Sequence, residues 1–216
     1  MSGRFAMARA AEDLVALFDV DVSGDTLPEP SWNIAPTDEV CLLVDAAPRG
    51  ADAGGPPVRR LASARWGLVP SWAPDPSVGA ATAFADVETV AEERTTAEAV
   101  LARRGLVAVT GWSPTGDGLL HLPDDEVLLL AAVYEWWRAP AGPEGAPTRW
   151  LLSTAVLSRP ATGVAGAAGD SGRMPVFVGA DVMDEWLDPE AEIDGDLLAG
   201  LVGEAGSVAD RLVPRG

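Results

Sequence analysis

The length of the apolar runs constrains this chain most. They fall at 40–44, 66–69, 106–112, 127–133 and 150–156, each short and bounded by turn residues. Runs of this length predict strands, and none approaches the roughly 18 residues a membrane-spanning helix requires. Helical spacing is confined to a few places. Ala11, Leu14, Val15 and Phe18 sit at i, i+3, i+4 and i+7 and predict an amphipathic helix over 8–20. The Glu- and Ala-rich stretch 86–102 predicts a second helix, and 181–187 and 195–204 predict two more near the end. Gly, Pro and Ala clusters mark loops at 46–57, 139–148 and 161–172. Strands connected over irregular distances, with few helices between them, predict an α+β fold and not a doubly wound sheet.

Composition removes several functions. The 216 residues carry 33 acids against 15 basic residues, every one an arginine, for a net charge of −18. With no lysine, Schiff-base lysine and P-loop lysine chemistry are excluded, and a non-specific polyanion binder would not carry this charge. The acid is unevenly placed: residues 181–216 hold 10 acids and 2 arginines, so −8 of the −18 lies in the last sixth of the chain. Within it, 181–196 has eight acids and no arginine, a pattern that usually marks a solvated face. One domain over 1–190 is expected, with 191–216 an acidic helix or tail packed on or trailing it. A lone cysteine, Cys41, sits inside an apolar run, so a core thiol in a reducing compartment is expected. The single histidine, His121, precludes a histidine metal cluster. No metal and no cofactor are expected, and the location is expected to be cytoplasmic, the protein monomeric.

What stands out is a series of polar and aromatic strings in fixed order. They are Met1-Ser2-Gly3-Arg4-Phe5, Trp32-Asn33-Ile34-Ala35-Pro36 and Arg65-Trp66-Gly67-Leu68-Val69-Pro70-Ser71-Trp72-Ala73, then Glu88-Thr89-Val90-Ala91-Glu92. Tyr134-Glu135-Trp136-Trp137, Arg173-Met174-Pro175-Val176 and Trp186-Leu187-Asp188-Pro189 follow. In this order, from residue 1 to about 190, the chain resembles the SRAP family, the SOS response-associated peptidase or abasic-site processing proteins. The resemblance implies a single domain with a mixed or antiparallel, barrel-like β core and a few flanking helices. It also implies a chemistry. Removal of the initiator methionine exposes an N-terminal cysteine, whose amine and thiol capture the aldehyde of an abasic site in single-stranded DNA as a thiazolidine. An asparagine, a glutamate and a histidine assist, and arginines hold the flanking phosphates.

Position by position, that chemistry is altered here. The family's Met-Cys-Gly-Arg-Phe start carries Ser2 in place of cysteine. Its Asn-Ala-Arg-x-Glu-Thr segment aligns with Phe84-Ala85-Asp86-Val87-Glu88-Thr89, so Phe84 replaces the catalytic asparagine and Asp86 a phosphate-binding arginine. The segment that ends Gly-Phe-Tyr-Glu-Trp aligns with Gly111-Trp112-Ser113-Pro114-Thr115, placing Pro114 where the glutamate belongs. The His-x-Arg-Met-Pro motif aligns with Ser171-Gly172-Arg173-Met174-Pro175, placing Ser171 at the histidine. Arg4, Asn33, Pro36, Trp66, Pro70, Glu88 and Arg173 are retained and are expected remnants of a DNA-binding groove, the alternative for Arg4 and Arg173 being a role as buried hydrogen-bonding arginines.

Three readings are open at the level of sequence. The chain is a degenerate paralogue that no longer forms the stable cross-link, with single-stranded DNA binding weakened by Asp86 and the net charge. Alternatively, abasic-site processing survives through an imine at the Ser2 α-amine, the one primary amine in a chain without lysine. In the third reading the acidic surface engages a basic protein partner.

Overall fold

The computed structural model describes residues 3–47, 55–140, 147–168 and 172–215. In chain order the elements are β1 (Arg4–Met7), α1 (Ala11–Leu17), β2 (Val22–Ser23), β3 (Ser31–Ile34), β4 (Glu39–Ala46), β5 (Val58–Trp66) and β6 (Phe84–Asp86). There follow α2 (Ala97–Ala102), β7 (Arg104–Val109), β8 (Gly111–Ser113), β9 (Leu120–His121), β10 (Leu128–Arg138) and β11 (Trp150–Pro160). The chain continues with α3 (Gly163–Ala168), β12 (Arg173–Pro175), β13 (Phe177–Val178), α4 (Ala180–Leu187), α5 (Gly195–Asp210) and β14 (Val213–Pro214).

Five strands close into a barrel in the order β4-β5-β11-β10-β7. Strands that alternate in direction cannot close an odd ring without one parallel pair. That pair is β5 with β11, and it is short, joining only Arg65 to Ser153 and Trp66 to Thr154. The other joints are antiparallel, the longest running from Glu39–Arg65 to Ala46–Val58. On these strands Leu42, Leu43, Leu61, Leu106 and Val107 are fully buried, alternately inside the barrel and under the elements that cover it. A second sheet, in the order β14-β9-β8-β1-β3, leaves the barrel at Thr110, between β7 and β8. That buried hydroxyl accepts from the Ala8 N–H at 3.0 Å and donates to the Ala6 carbonyl at 3.2 Å, so the bend is fastened to β1. The α+β class with a barrel-like core therefore holds.

Local expectations differ in four places. The run 66–69 is not a strand. β5 ends at Trp66, and Gly67 turns the chain away at φ +135°, where its backbone crosses that of Gly79. A Cβ on Gly79 would lie 2.6 Å from the Gly67 carbonyl oxygen, so neither position has room for a side chain. The strand lies upstream at 58–66, where three arginines break up the apolar signal. The predicted helix over 86–102 is a helix only over Ala97–Ala102. Before it, the Thr96 hydroxyl donates to the Val90 carbonyl at 2.8 Å and fixes a series of turns instead. The helix expected over 8–20 is α1 alone, and the expected loop 161–172 contains α3.

The acidic C-terminal region packs on the barrel's flank. α5 buries Leu197, Leu201, Ala205, Val208 and Ala209, and Asp194 caps it by accepting from the N–H groups of Asp196 and Leu197 at 3.0 and 2.9 Å. Asp184 on α4 joins Asp45 in gripping Arg59 at 2.8 Å, so part of this acid has a structural task. Arg104, buried at the start of β7, collects the carbonyls that end α4. It donates to Trp186 at 2.8 Å, to Ala191 at 3.1 Å and to Asp188, with its guanidinium 5.7 Å from the Trp186 ring centre. Burial lowers its affinity for the proton, and nearby Asp188 opposes that shift. Among the described residues, no helix is long and apolar enough to cross a membrane.

Candidate functional site

The retained and replaced motif residues converge around β1. Arg4 points outward and donates to the Asn33 side-chain oxygen on β3 at 2.8 Å. These two residues, with Trp32, Ser113, Leu119 and Arg215, line a cleft of about 310 Å³. The Arg215 guanidinium lies 4.5 Å above the centre of the exposed Trp32 ring and pairs with Asp125 at 2.8 Å. Under the cleft, Phe5 is fully buried and stacks on Trp66 with ring centres 4.2 Å apart and planes 27° apart. Phe84 meets both edge-on, 5.3 Å from Trp66 and 6.2 Å from Phe5. Trp66 is fixed from the other side by its indole N–H, which donates to the Ala83 carbonyl at 2.8 Å.

β6 explains why Phe84 and Asp86 act together. In a strand alternate residues share a face; Ala85 is buried, and Phe84 and Asp86 are its half-buried neighbours on the opposite face. β6 runs parallel to β11, with Asp86 opposite Ser158, while β12 pairs with the other edge of that segment and places Arg173 opposite Pro160. Arg173 reaches across. Its Nε lies 3.0 Å from the Asp86 carboxylate, and its terminal nitrogen lies 2.7 Å from the Glu88 carboxylate and 2.9 Å from the Ser158 carbonyl. The Ser158 hydroxyl donates to Asp86 at 2.8 Å. One guanidinium between two carboxylates leaves this strip with a net negative charge.

The other expected residues separate by burial. Trp66 and Pro70 are buried and present no surface to a ligand, Trp66 lying beneath Phe5 at the cleft. Pro36 is half-buried in the turn between β3 and β4, held by the Asp38 carboxylate accepting from the Ala35 N–H at 2.8 Å. Pro114 is buried where the chain leaves β8, next to Ser113, which pairs with Arg4. Glu88 is exposed and committed to Arg173. Ser2 and Ser171 lie outside the described residues, each next to a described glycine, Gly3 and Gly172. His121 does not line the cleft; its Nδ1 lies 3.4 Å from Asp125, the carboxylate that also holds Arg215. Burial and, secondarily, the charge of Glu12 push the Cys41 thiol up to about 11, so at neutral pH it is a protonated core group and not a nucleophile.

Sequence reasoning did not single out Arg215 or Ser158 for the site. Arg215 reaches Trp32 only through the pairing of β14 with β9, which lies beyond any local pattern. Ser158 sits inside an apolar strand and shows its role only through the crossing of β6 and β12.

Comparison with known proteins agrees with this geometry. Residues 1–210 match the family described as SOS response associated peptidase (SRAP). The abasic site processing protein YoqW of Bacillus subtilis (strain 168) is 26% identical over 214 residues, covering 94% of this chain and 86% of that protein. YoaM of the same organism, also named an abasic site processing protein, is 25% identical over 201 residues, covering 88% of this chain and 80% of that protein. A solved protein of Bacteroides thetaiotaomicron shares the fold with a TM-score of 0.72 at 16% identity, over 92% of this chain and 85% of that one. The barrel, the Phe5–Trp66 floor and the ordered motifs above it thus have one common origin: the chain belongs to the SRAP family.

Proposed function

We propose that this chain is an SRAP protein of the abasic-site processing kind that has lost the stable cross-link to DNA. The observation that carries the reading is the face of β6, where Phe84 packs against Trp66 and Asp86 binds Arg173. An asparagine at position 84 would offer an amide to a reacting sugar, and an arginine at 86 would offer a cation to its phosphate. Phenylalanine offers only apolar surface, and the aspartate both repels phosphate and occupies Arg173. Pro114 cannot transfer a proton. At the N-terminus, the Ser2 α-amine can add to an aldehyde, but ring closure through its hydroxyl gives an oxazolidine, which hydrolyses more readily than a thiazolidine. Thiols are also the better nucleophiles near neutral pH.

The Ser2→Cys variant tests where the loss lies. Incubated with single-stranded DNA containing an abasic site and heated before denaturing electrophoresis, it is expected to give no heat-stable adduct, because Phe84, Asp86 and Pro114 are unchanged. Full adduct formation by this single variant would place the whole loss at residue 2 and overturn the role given to β6.

A further inference from the structure

The arginines divide into two sets. Most of the described ones are held by a carboxylate, a carbonyl, an amide or a ring: Arg4 by Asn33, Arg59 by Asp45, Arg94 on Trp72, Arg103 by Glu135, Arg173 by Asp86 and Arg211 by Glu126. Arg9, Arg65, Arg104 and Arg159 are held by backbone carbonyls, and Arg215 by Asp125 and Trp32. The side chains of Arg60, Arg138 and Arg149 are exposed and make no hydrogen bond, ion pair or ring contact among the described residues. All three lie where β5 and β11 separate beyond their two-residue joint.

This part of the barrel is also where aromatic surface is left uncovered. In the β10–β11 ladder Trp136 faces Leu152 and Arg138 faces Trp150, so these four side chains share one face of the hairpin. Trp136 is 47% exposed and Trp150 57%. The acids of the neighbourhood are turned to the other side: Glu135 bonds to Arg103 and Asp45 to Arg59. The shared face borders a cavity of about 840 Å³ lined by Arg60, Tyr134, Trp136 and Leu152 with Leu42 and Val44, and no described acid lines it.

We infer that this rim is a binding site for unpaired nucleic acid, in which Trp136 and Trp150 stack bases and Arg60 and Arg138 hold phosphates. Two ring platforms and two free cations at one rim fit several linked nucleotides better than one small anion. Aromatic rings interleaved with arginines are the usual means of holding a single strand without reading its sequence. The net charge of −18 does not oppose this. Screening reduces charge effects beyond about 8 Å at physiological salt, so the local field is set by the rim, where Glu135 and Asp45 are neutralised by Arg103 and Arg59. The site is independent of the cleft at β1 and does not require that cleft to react.

The test is fluorescence anisotropy with a labelled oligothymidylate of roughly twelve nucleotides, containing no abasic site. Affinity is measured between about 50 and 200 mM salt. The double variant Arg60→Ala, Arg138→Ala, both at exposed positions, is expected to bind at least about tenfold more weakly, and adding Arg149→Ala on the opposite face should not deepen the loss. The double variant's slope of log affinity against log salt should be shallower by about 1.4, because each single-strand phosphate contact contributes about 0.7. Trp136→Ala with Trp150→Ala should weaken binding about tenfold with the slope unchanged, which separates stacking from charge. Arg211→Ala, at an exposed arginine already paired with Glu126, should leave this binding as it is. The proposal is overturned if the wild-type protein does not bind the oligonucleotide at low salt, if the double variant keeps the wild-type affinity and slope, or if Arg211→Ala weakens binding as much as the double variant does. A duplex that competes as well as the single strand also overturns it, as does retention of anilinonaphthalene sulfonate in place of the oligonucleotide.

Discussion

Arg104 shows how much one residue can organise in this chain. It is 4% exposed, and its guanidinium meets the carbonyls of Trp186, Asp188 and Ala191 with no carboxylate in direct contact. Hydrogen bonds to a charged donor are the stronger kind, and truncation leaves buried acceptors unpaired. Arg104→Met is therefore expected to destabilise the protein by about 3–5 kcal/mol in denaturant unfolding; a loss below about 1 kcal/mol would show that water replaces the guanidinium easily. Cys41 makes a pH-dependent prediction. Its thiol is held neutral up to about 11 from an ordinary value of 9.0. The native state thus keeps its proton where the unfolded chain gives it up. This contribution is complete below pH 9.0 and is lost as pH rises towards about 11. Over that window the wild-type protein should lose about 2 kcal/mol more stability than Cys41→Ala, measured by denaturant titration at each pH. Equal losses would contradict the burial of the thiol.

At the scale of elements, the crossing of Gly67 and Gly79 decides whether β5 can deliver Trp66 to Phe5. Gly67→Ala adds a Cβ into the Gly79 backbone at φ +135° and should cost more than the roughly 1 kcal/mol typical of a helical glycine change. Thermal unfolding measures it, and an unchanged midpoint would mean that the loop adjusts freely. The same string shows what was readable in the sequence. Trp66-Gly67-Leu68-Val69-Pro70 identified the family because a glycine between a core tryptophan and a buried proline has no freedom to vary in this crossing. The same apolar run misplaced the strand, since β5 carries Arg59, Arg60 and Arg65 and its pattern does not look apolar. The helix expected over 86–102 failed for a related reason: composition favoured it, but side-chain bonds at Thr96 favoured turns. Substituted positions such as Phe84 and Asp86 were readable by alignment. Their partnership with Trp66 and Arg173 was not, because it depends on β6 and β12 meeting on opposite edges of β11.

For the whole molecule, the distribution of charge separates two regions. At β1 the cleft carries Arg4 bonded to Asn33, yet the neighbouring strip binds its own arginine with two carboxylates. Where β5 and β11 diverge, three arginines and two tryptophans remain uncommitted. The C-terminal acid belongs partly to helix capping and to Arg59, so the total of −18 is a weak guide to binding and the placement of individual charges a strong one. The central claim is that the scaffold persists without the stable cross-link. Its most direct test is the mature wild-type protein mixed with single-stranded DNA bearing an abasic site, heated, and resolved on a denaturing gel with and without borohydride. The account predicts no shifted band without borohydride, with any trapped imine seen only in its presence. A heat-stable band that forms without borohydride and depends on Ser2 would contradict it.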